Sequence, residues 1–315
     1  METLRKMFAD TGPTAALVGF LAVAMLLLAA TPQPAFAAQD RILTIPSTPL
    51  PQRIWIDAEG VPLPFYNEDQ VMEFLATADV VGRENIPVGV TDPIKVRLSK
   101  DGLEVHGIFR YVDTVYNQVR MGGRLRVNMK DSCHFEPAAY ELSKLLGMNS
   151  VPPVITRRIG RDNGTLQIWV YNAIMESERN EQGMSAPNRI AWNKQVQLMY
   201  MFDALIGNDD RTEQNILIDK NWKLWLIDHT RAFYNRAEVA FTSLEKVIYV
   251  ERGFWEALQE FDTESLNEAV GEYLTDAEIE QLLERRDRVV AHVSELIEIR
   301  GEGAVIYEWA PSSGR

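Results

Sequence analysis

The stretch from Phe202 to Phe233, FDALIGNDDRTEQNILIDKNWKLWLIDHTRAF, holds the densest set of groups in the chain that could do chemistry. An acidic, amide-bearing loop (Gly207, Asn208, Asp209, Asp210, Arg211, Asn215) runs into the apolar segment Ile216 to Ile218. A turn at Asp219 to Asn221 follows, because Asp and Asn favour turn backbone, and a second apolar segment from Trp222 to Ile227 ends at Asp228. Paired as a hairpin, the two segments bring Asn215 and Asp228 to one end, beside the loop that carries Asp210. Carboxylate and amide oxygens suit a hard cation such as Mg²⁺ or Mn²⁺. Moving a γ-phosphoryl group is mostly positioning and charge neutralisation, with one carboxylate to orient or deprotonate the acceptor hydroxyl. Asn215 and Asp228 suit the metal role, and Asp210 suits the base role.

An Asp, four intervening residues, an Asn and a later metal-binding Asp is the order found in protein-kinase catalytic loops, and Asp210, Asn215 and Asp228 follow it. The string GNDDR…N…ID followed by HTRAF resembles the catalytic segment of atypical kinases: secretory-pathway kinases related to the Golgi casein kinase, HipA-like bacterial kinases and phosphatidylinositol 3- and 4-kinases. Upstream, FEPAAYELSKLLGMNSVPPVITRRI (Phe135 to Ile159) resembles the helix of those kinases that carries an ion-pairing or metal-binding Glu, followed by a strand. The resemblance implies an α+β, two-lobed protein-kinase-like fold with a β-rich N-lobe and a mainly helical C-lobe. It also implies ATP or another nucleotide as cofactor together with Mg²⁺ or Mn²⁺. Residue by residue, it makes Asp210 the catalytic base, Asn215 and Asp228 the metal ligands, and Glu136 the helix Glu. For the nucleotide-contacting Lys it offers Arg110, on a strand spanning Val105 to Val112, with Lys130 as the alternative cation. A planar guanidinium is a poor copy of a compact ammonium, and no G-x-G-x-x-G loop is present; Gly122-Gly123 is too short to replace one, and backbone around Gly89 to Thr91 is the remaining candidate cover.

The elements that must position these groups read as follows. Asn67 starts a short helix with Val71, Phe74 and Leu75 on one face. Strands are expected at Arg41 to Ile45, Arg53 to Ile56, Val88 to Val90, Ile94 to Leu98 and Leu103 to Val112, with a turn at Lys100 to Gly102. Val154 to Ile159 and Leu166 to Val170 flank Asn163-Gly164, which reads as a hairpin turn rather than as a glycan acceptor. Leu166 to Ile174 would link the lobes, Glu176 to Asn188 reads as a surface loop, and Ile190 to Ile206 as a long helix with Val196, Met199, Phe202 and Ile206 facing the core. In the C-terminal third, a helix is expected over Phe254 to Phe261, then one capped by Thr263 or Ser265. A long helix follows over Asp276 to Arg300, opened by the capping box Thr275/Glu278 and closed by Gly301. Its Arg285-Arg286-Asp287-Arg288 cluster reads as a solvated face. His229 and His292 have no partner at metal-ligand spacing.

At the N-terminus Arg5 and Lys6 precede an apolar run from Ala15 to Ala30, about 16 residues and short for a bilayer span. The small-residue pattern Ala35-Phe36-Ala37 after it reads as the cleavage site of a secretory signal over residues 1–37, the alternative being an uncleaved anchor. The N-lobe is expected over 38–170 and the C-lobe over 171–315, exported to the periplasm or secreted, with membrane contact only through an uncleaved leader. A single cysteine, Cys133, rules out an internal disulfide. The chain has 315 residues, 46% hydrophobic and 24% charged, with a net charge of −13, to which residues 1–37 add nothing. Such acidity argues against nucleic acid, whose phosphates need a basic face, and disfavours anionic lipid as the docking surface. The expected activity is transfer of a phosphoryl group from a nucleotide to a protein or small-molecule hydroxyl. The alternatives are a catalytically inactive pseudokinase acting as an extracytoplasmic binding module, and a nucleotidyl (AMP) transferase using the same acidic cluster.

Overall fold

In a computed structural model of the chain, residues 55–86, 93–121, 124–233 and 241–309 are described. The leader, the strands expected at Arg41 to Ile45 and Val88 to Val90, the Gly89 to Thr91 cover and Gly122-Gly123 lie outside them. Asn67 caps α1 (Glu68–Thr77) by accepting from the Gln70 N–H, and Val71, Phe74 and Leu75 bury as its periodicity predicts. β1 (Asp79–Asn85), β2 (Ile94–Lys100) and β3 (Leu103–Arg110) follow as an antiparallel meander. A long two-stranded ribbon comes next, β4 (Asp113–Met121) with β5 (Arg124–Ser132), an element absent from the sequence-based expectations although Leu125, Val127 and Met129 alternate with polar residues along β5. After α2 (Phe135–Leu145), β6 (Val154–Ile159) and β7 (Asp162–Ile168) complete a five-stranded antiparallel sheet of order β1-β2-β3-β7-β6.

The sheet is two-faced. Val96, Leu98, Val105, Phe109, Leu166 and Ile168 pack with the apolar stripe of α1 in one buried cluster. The other face carries Arg97 opposite His106, Lys95 opposite Ile108, and Arg110 opposite Thr165, since paired residues share a face and neighbours alternate.

The expected Asn163-Gly164 turn is corrected. Ile159 pairs with Asp162, so Gly160 and Arg161 make the turn, and Gly160 takes the left-handed conformation at φ 69°. Gly164 instead lies within β7, where a Cβ would come within 2.2 Å of the Arg110 carbonyl oxygen and 2.8 Å of the Phe109 ring. Its glycine serves close strand approach rather than turn geometry.

β8 (Ala173–Met175) leads into α3 (Glu176–Glu181), where a plain loop was expected; Glu178 bonds back to the Met175 N–H, and Arg179 bridges Glu176 one turn away. α4 (Arg189–Ile206) ends at Gly207, left-handed at φ 67°. A 3₁₀ turn (Glu213–Asn215), then β9 (Ile216–Asp219) and β10 (Leu224–Leu226), form with β8 a small antiparallel sheet of order β10-β9-β8. α5 (Phe241–Leu244), β11 (Val250–Glu251), α6 (Arg252–Glu260), α7 (Thr263–Val270), α8 (Asp276–Arg300), α9 (Glu302–Val305) and β12 (Ile306–Tyr307) complete the helical region, with β11 and β12 parallel. Asp262, not Thr263 or Ser265, caps α7, with Ser265 returning the bond. α8 opens with the expected Thr275/Glu278 box. A second core unites α2, α4, the β9–β10 hairpin and the C-terminal helices through residues such as Phe135, Leu142, Phe202, Leu226, Phe254 and Leu282. Among the described residues no helix is long and apolar enough to cross a membrane.

Forcing a methyl into the β3–β7 contact should overpack it. Gly164→Ala is expected to lower stability by about 2 kcal/mol or more, measured by urea unfolding. A variant as stable as wild type would refute the β3–β7 register.

Candidate active site

The β9–β10 hairpin brings the expected groups to one end. Leu226 pairs with Ile216, and the Ile227 N–H donates to the Asn215 carbonyl at 3.2 Å, so Asn215 and Asp228 emerge side by side. Arg211 fastens that end to α4. Its guanidinium donates to Asp203 at 2.9 Å and to the carbonyl oxygens of Asn215 (2.8 Å) and Ile227 (2.7 Å). Asp203 is buried and accepts from Asn208 as well, and the Asn208 side chain accepts from the Asp210 N–H. Asn215 Nδ2 donates to the Asp210 carbonyl at 3.0 Å, and its Oδ1 is the acceptor end of the amide.

The two adjacent aspartates of the loop have separate partners. Asp209 pairs with Arg126 of the ribbon, whereas Asp210 Oδ2 accepts from Arg231 at 2.8 Å and its side chain is 38% exposed. Asp210 thus has the more open side chain of the two, that of Asp209 being 20% exposed.

Asp228 has φ 59°, an uncommon conformation for a residue with a Cβ. The bend turns the next peptide inward, so that the His229 N–H donates to Glu136 Oε1 at 3.1 Å while His229 Nδ1 meets Oε2 at 3.2 Å. Glu136 stands in the first turn of α2, fully buried, with Pro137 after it. Arg110, at the end of β3, reaches the same carboxylate: its Nε lies 3.4 Å from Glu136 Oε1 and 3.9 Å from Asp228 Oδ1. Among the described residues that Nε is buried without a formed hydrogen bond. Strand cation, helix Glu and hairpin-end Asp therefore meet. Lys130 does not join them; its ammonium bonds Glu278 at 3.0 Å and sits over the Phe135 ring.

Burial alone would raise the Glu136 pKa, but the Arg110 charge and the hydrogen bonds from His229 outweigh it and hold the carboxyl at about 2, against an ordinary 4.5. Asp228, by contrast, keeps its side chain 34% exposed, with Thr230 Oγ1 donating to Oδ1 at 3.2 Å. Oxygen donors from Asp228 and Asn215 have the hardness that Mg²⁺ and Mn²⁺ prefer, so the donor set fits the expected cation. Among the described residues no three His, Cys, Asp or Glu side chains group to hold a metal by themselves.

Three residues to which the sequence gives no role in the site matter here. His229 is fully buried against Glu136, 93 positions away in the chain. Asp131 of β5 is fully buried and bonds Arg231 at 2.8 Å. Arg285, expected on a solvated face, is buried instead. Its Nε donates to the Leu205 carbonyl at 2.7 Å and its guanidinium lies against Gly207, so it closes the end of α4 just before the loop. Burial lowers its pKa to about 10. None of the three has a local signal, since each partner is remote in sequence.

No family model matches the chain, and no curated protein matches it. Solved structures do. The structure of hydra Fam20 with sugar is 14% identical, with a TM-score of 0.59 over 76% of this chain and 92% of that one. The Golgi casein kinase is 14% identical, with a TM-score of 0.57 over 76% of this chain and 77% of that one. The same enzyme with Mn and ADP bound gives a TM-score of 0.56 at 14% identity, over 76% and 78%. The chain has the atypical kinase-like fold of these proteins, with a β-rich N-terminal region and a helical C-terminal region.

Removing one partner from a buried charge cluster is costly. Glu136→Gln is expected to destabilise the protein by about 3 kcal/mol at neutral pH. The pH dependence has a defined sign: a carboxyl depressed in the folded state stabilises above its unfolded pKa and loses that contribution as pH falls through the folded one. The gap between wild type and Glu136→Gln should be constant above about pH 5 and narrow as pH drops from about 4.5 towards 2. Urea unfolding across that range measures it; a gap that widens on acidification would refute the buried-carboxylate account.

Proposed function

We propose that the chain is a metal-dependent phosphotransferase that moves the γ-phosphoryl group of ATP, or another nucleotide, to a hydroxyl of a protein or small molecule. The observation that carries the reading is the meeting of Arg110, Glu136 and Asp228 at one point, beside Asn215 and Asp210. Asp228 and Asn215 would hold Mg²⁺ or Mn²⁺, which neutralises charge on the nucleotide phosphates. With only these two protein ligands, phosphate and water oxygens would fill the rest of the shell, as is usual for Mg²⁺. Glu136 holds Arg110 and the segment after Asp228 in register. Asp210 accepts the hydrogen bond of the acceptor hydroxyl and takes its proton as the new oxygen–phosphorus bond forms and the nucleoside diphosphate leaves. Mn and ADP in the Golgi casein kinase structure support nucleotide and divalent cation as ligands of this fold. We further propose a β-rich lobe over 38–170 and a helical lobe over 171–315, exported behind the leader of residues 1–37 on the strength of its apolar run and small-residue cleavage pattern.

One observation favours a second reading, a nucleotide-binding module without turnover. Arg110 stands where kinases use Lys, and its side chain is only 6% exposed between two carboxylates. A guanidinium so engaged has little freedom to follow a phosphate.

Residues 38–315 titrated with ATP and Mn²⁺ separate the two. Specific binding at about 100 times the dissociation constant adds roughly 2.7 kcal/mol of stability, and it should require nucleotide and metal together. Asp228→Ala should abolish that stabilisation, whereas Asp210→Ala should retain it and stop transfer. Binding with no product would select the module, product heavier by a nucleoside monophosphate would select the AMP transferase, and full activity in both variants would refute the site.

A further inference from the structure

The loop aspartate proposed as base does not stand alone. Arg231, in the segment just after Asp228, spans two carboxylates: Nε donates to Asp131 Oδ2 at 2.8 Å and Nη1 donates to Asp210 Oδ2 at 2.8 Å. The two ends of this bridge differ in burial. The Asp131 side chain is 1% exposed and that of Arg231 is 13% exposed, while that of Asp210 is 38% exposed. The bridge is thus anchored in the interior and reaches outward to the reacting group. Asp131 is itself held by the β4–β5 ladder, opposite Thr114, and its neighbour Ser132 donates its N–H to the Thr230 carbonyl at 2.8 Å. Ribbon and Asp228 segment are therefore joined by a backbone hydrogen bond as well as by the guanidinium.

Among the described residues Asp131 Oδ1 is buried with no hydrogen-bond partner. A buried carboxylate with one oxygen unsatisfied is a poor stability device, because desolvation offsets most of the ion-pair attraction. Such a group is better explained by what it orients. We infer that Asp131 and Arg231 are positioning residues for Asp210: the guanidinium fork, set by the buried Asp131, occupies Asp210 Oδ2 and leaves Oδ1 to meet the acceptor hydroxyl. The inference rests on the phosphotransfer reading above and adds two residues to it. It also separates the two loop aspartates, because Asp209 is spent on Arg126 and only Asp210 is aimed from the interior. A lysine cannot replace the fork, since one ammonium cannot reproduce two directed N–H bonds at its two ends.

The test follows total loss of γ-phosphate from ATP with Mn²⁺, to water or to protein, alongside nucleotide-induced thermal stabilisation. Arg231→Lys and Asp131→Asn should each slow turnover roughly 10- to 100-fold, the scale of a misplaced catalytic group. Both should keep the metal-dependent stabilisation by ATP, and the double variant should be no slower than the slower single one, because the pair acts as a unit. Guanidinium ion at millimolar concentration should restore part of the rate of Arg231→Ala, and urea at the same concentration should not. Rates equal to wild type in Arg231→Lys and Asp131→Asn would overturn the inference and leave the phosphotransfer reading standing. Loss of nucleotide stabilisation in step with rate, or no rescue by guanidinium, would overturn it in favour of a structural role. A wild-type protein that binds nucleotide and releases no γ-phosphate would sink the reading and the inference together.

Discussion

The arrangement depends on one buried carboxylate. Glu136 lies at the start of α2 and gathers groups from two distant parts of the chain: the Arg110 guanidinium as an ion pair, and the His229 N–H and ring as hydrogen-bond partners. Each alone would be unfavourable inside the protein, because an unpaired charge or N–H loses its hydration. Together they compensate, and the geometry that allows it is narrow. The backbone at Asp228 must take φ 59° for the next N–H to face Glu136, so the ion cluster and the exposure of Asp228 are set at once. The conformation that would cost energy elsewhere is maintained here by the bonds it makes possible.

Around that centre the segments are stapled by arginines. Arg211 ties α4 to the two residues that flank the open end of the hairpin, Arg231 ties the ribbon to the Asp210 loop, Arg126 holds Asp209, and Arg285 closes the end of α4. A planar fork carries its donors on separate nitrogens at fixed spacing and direction, whereas a lysine ammonium offers all its donors from one point. That property explains how an acidic chain, with net charge −13, holds its carboxylate-rich loop in place. It also explains why the site sits between two cores: α2 belongs to the helical core, β3 to the sheet, and Arg110 to Glu136 is the polar link between them.

Legibility in the sequence followed the range of the interaction. The α1 cap at Asn67, the α8 capping box and the β9–β10 hairpin are local, and each formed as its residues imply. Apart from the one-residue shift of the α7 cap and the short helix α3, both local, the misreadings came where a distant partner changed a residue's task. Asn163-Gly164 has turn composition, yet Gly164 is there because β3 crosses it too closely for a Cβ. Arg285 has the neighbours of a solvated face, yet it is buried against the end of α4. In the ribbon, Leu125, Val127 and Met129 alternate with Arg124, Arg126, Asn128 and Lys130, a period-two signal that marks β5 as a strand.

For the site, the sequence by itself determined that Asp210, Asn215 and Asp228 share one loop and hairpin, because a short antiparallel connection leaves the ends of its strands no other place. It also placed Glu136 on a helix start. Only the tertiary structure decided which cation reaches Glu136, choosing Arg110 over Lys130, which is held by Glu278 instead. It alone set His229 under Glu136 and Asp131 behind Arg231. The reason is physical: hairpins and caps are fixed by backbone geometry within a few residues, whereas a buried charge finds its partner through the packing of elements that are about a hundred residues apart.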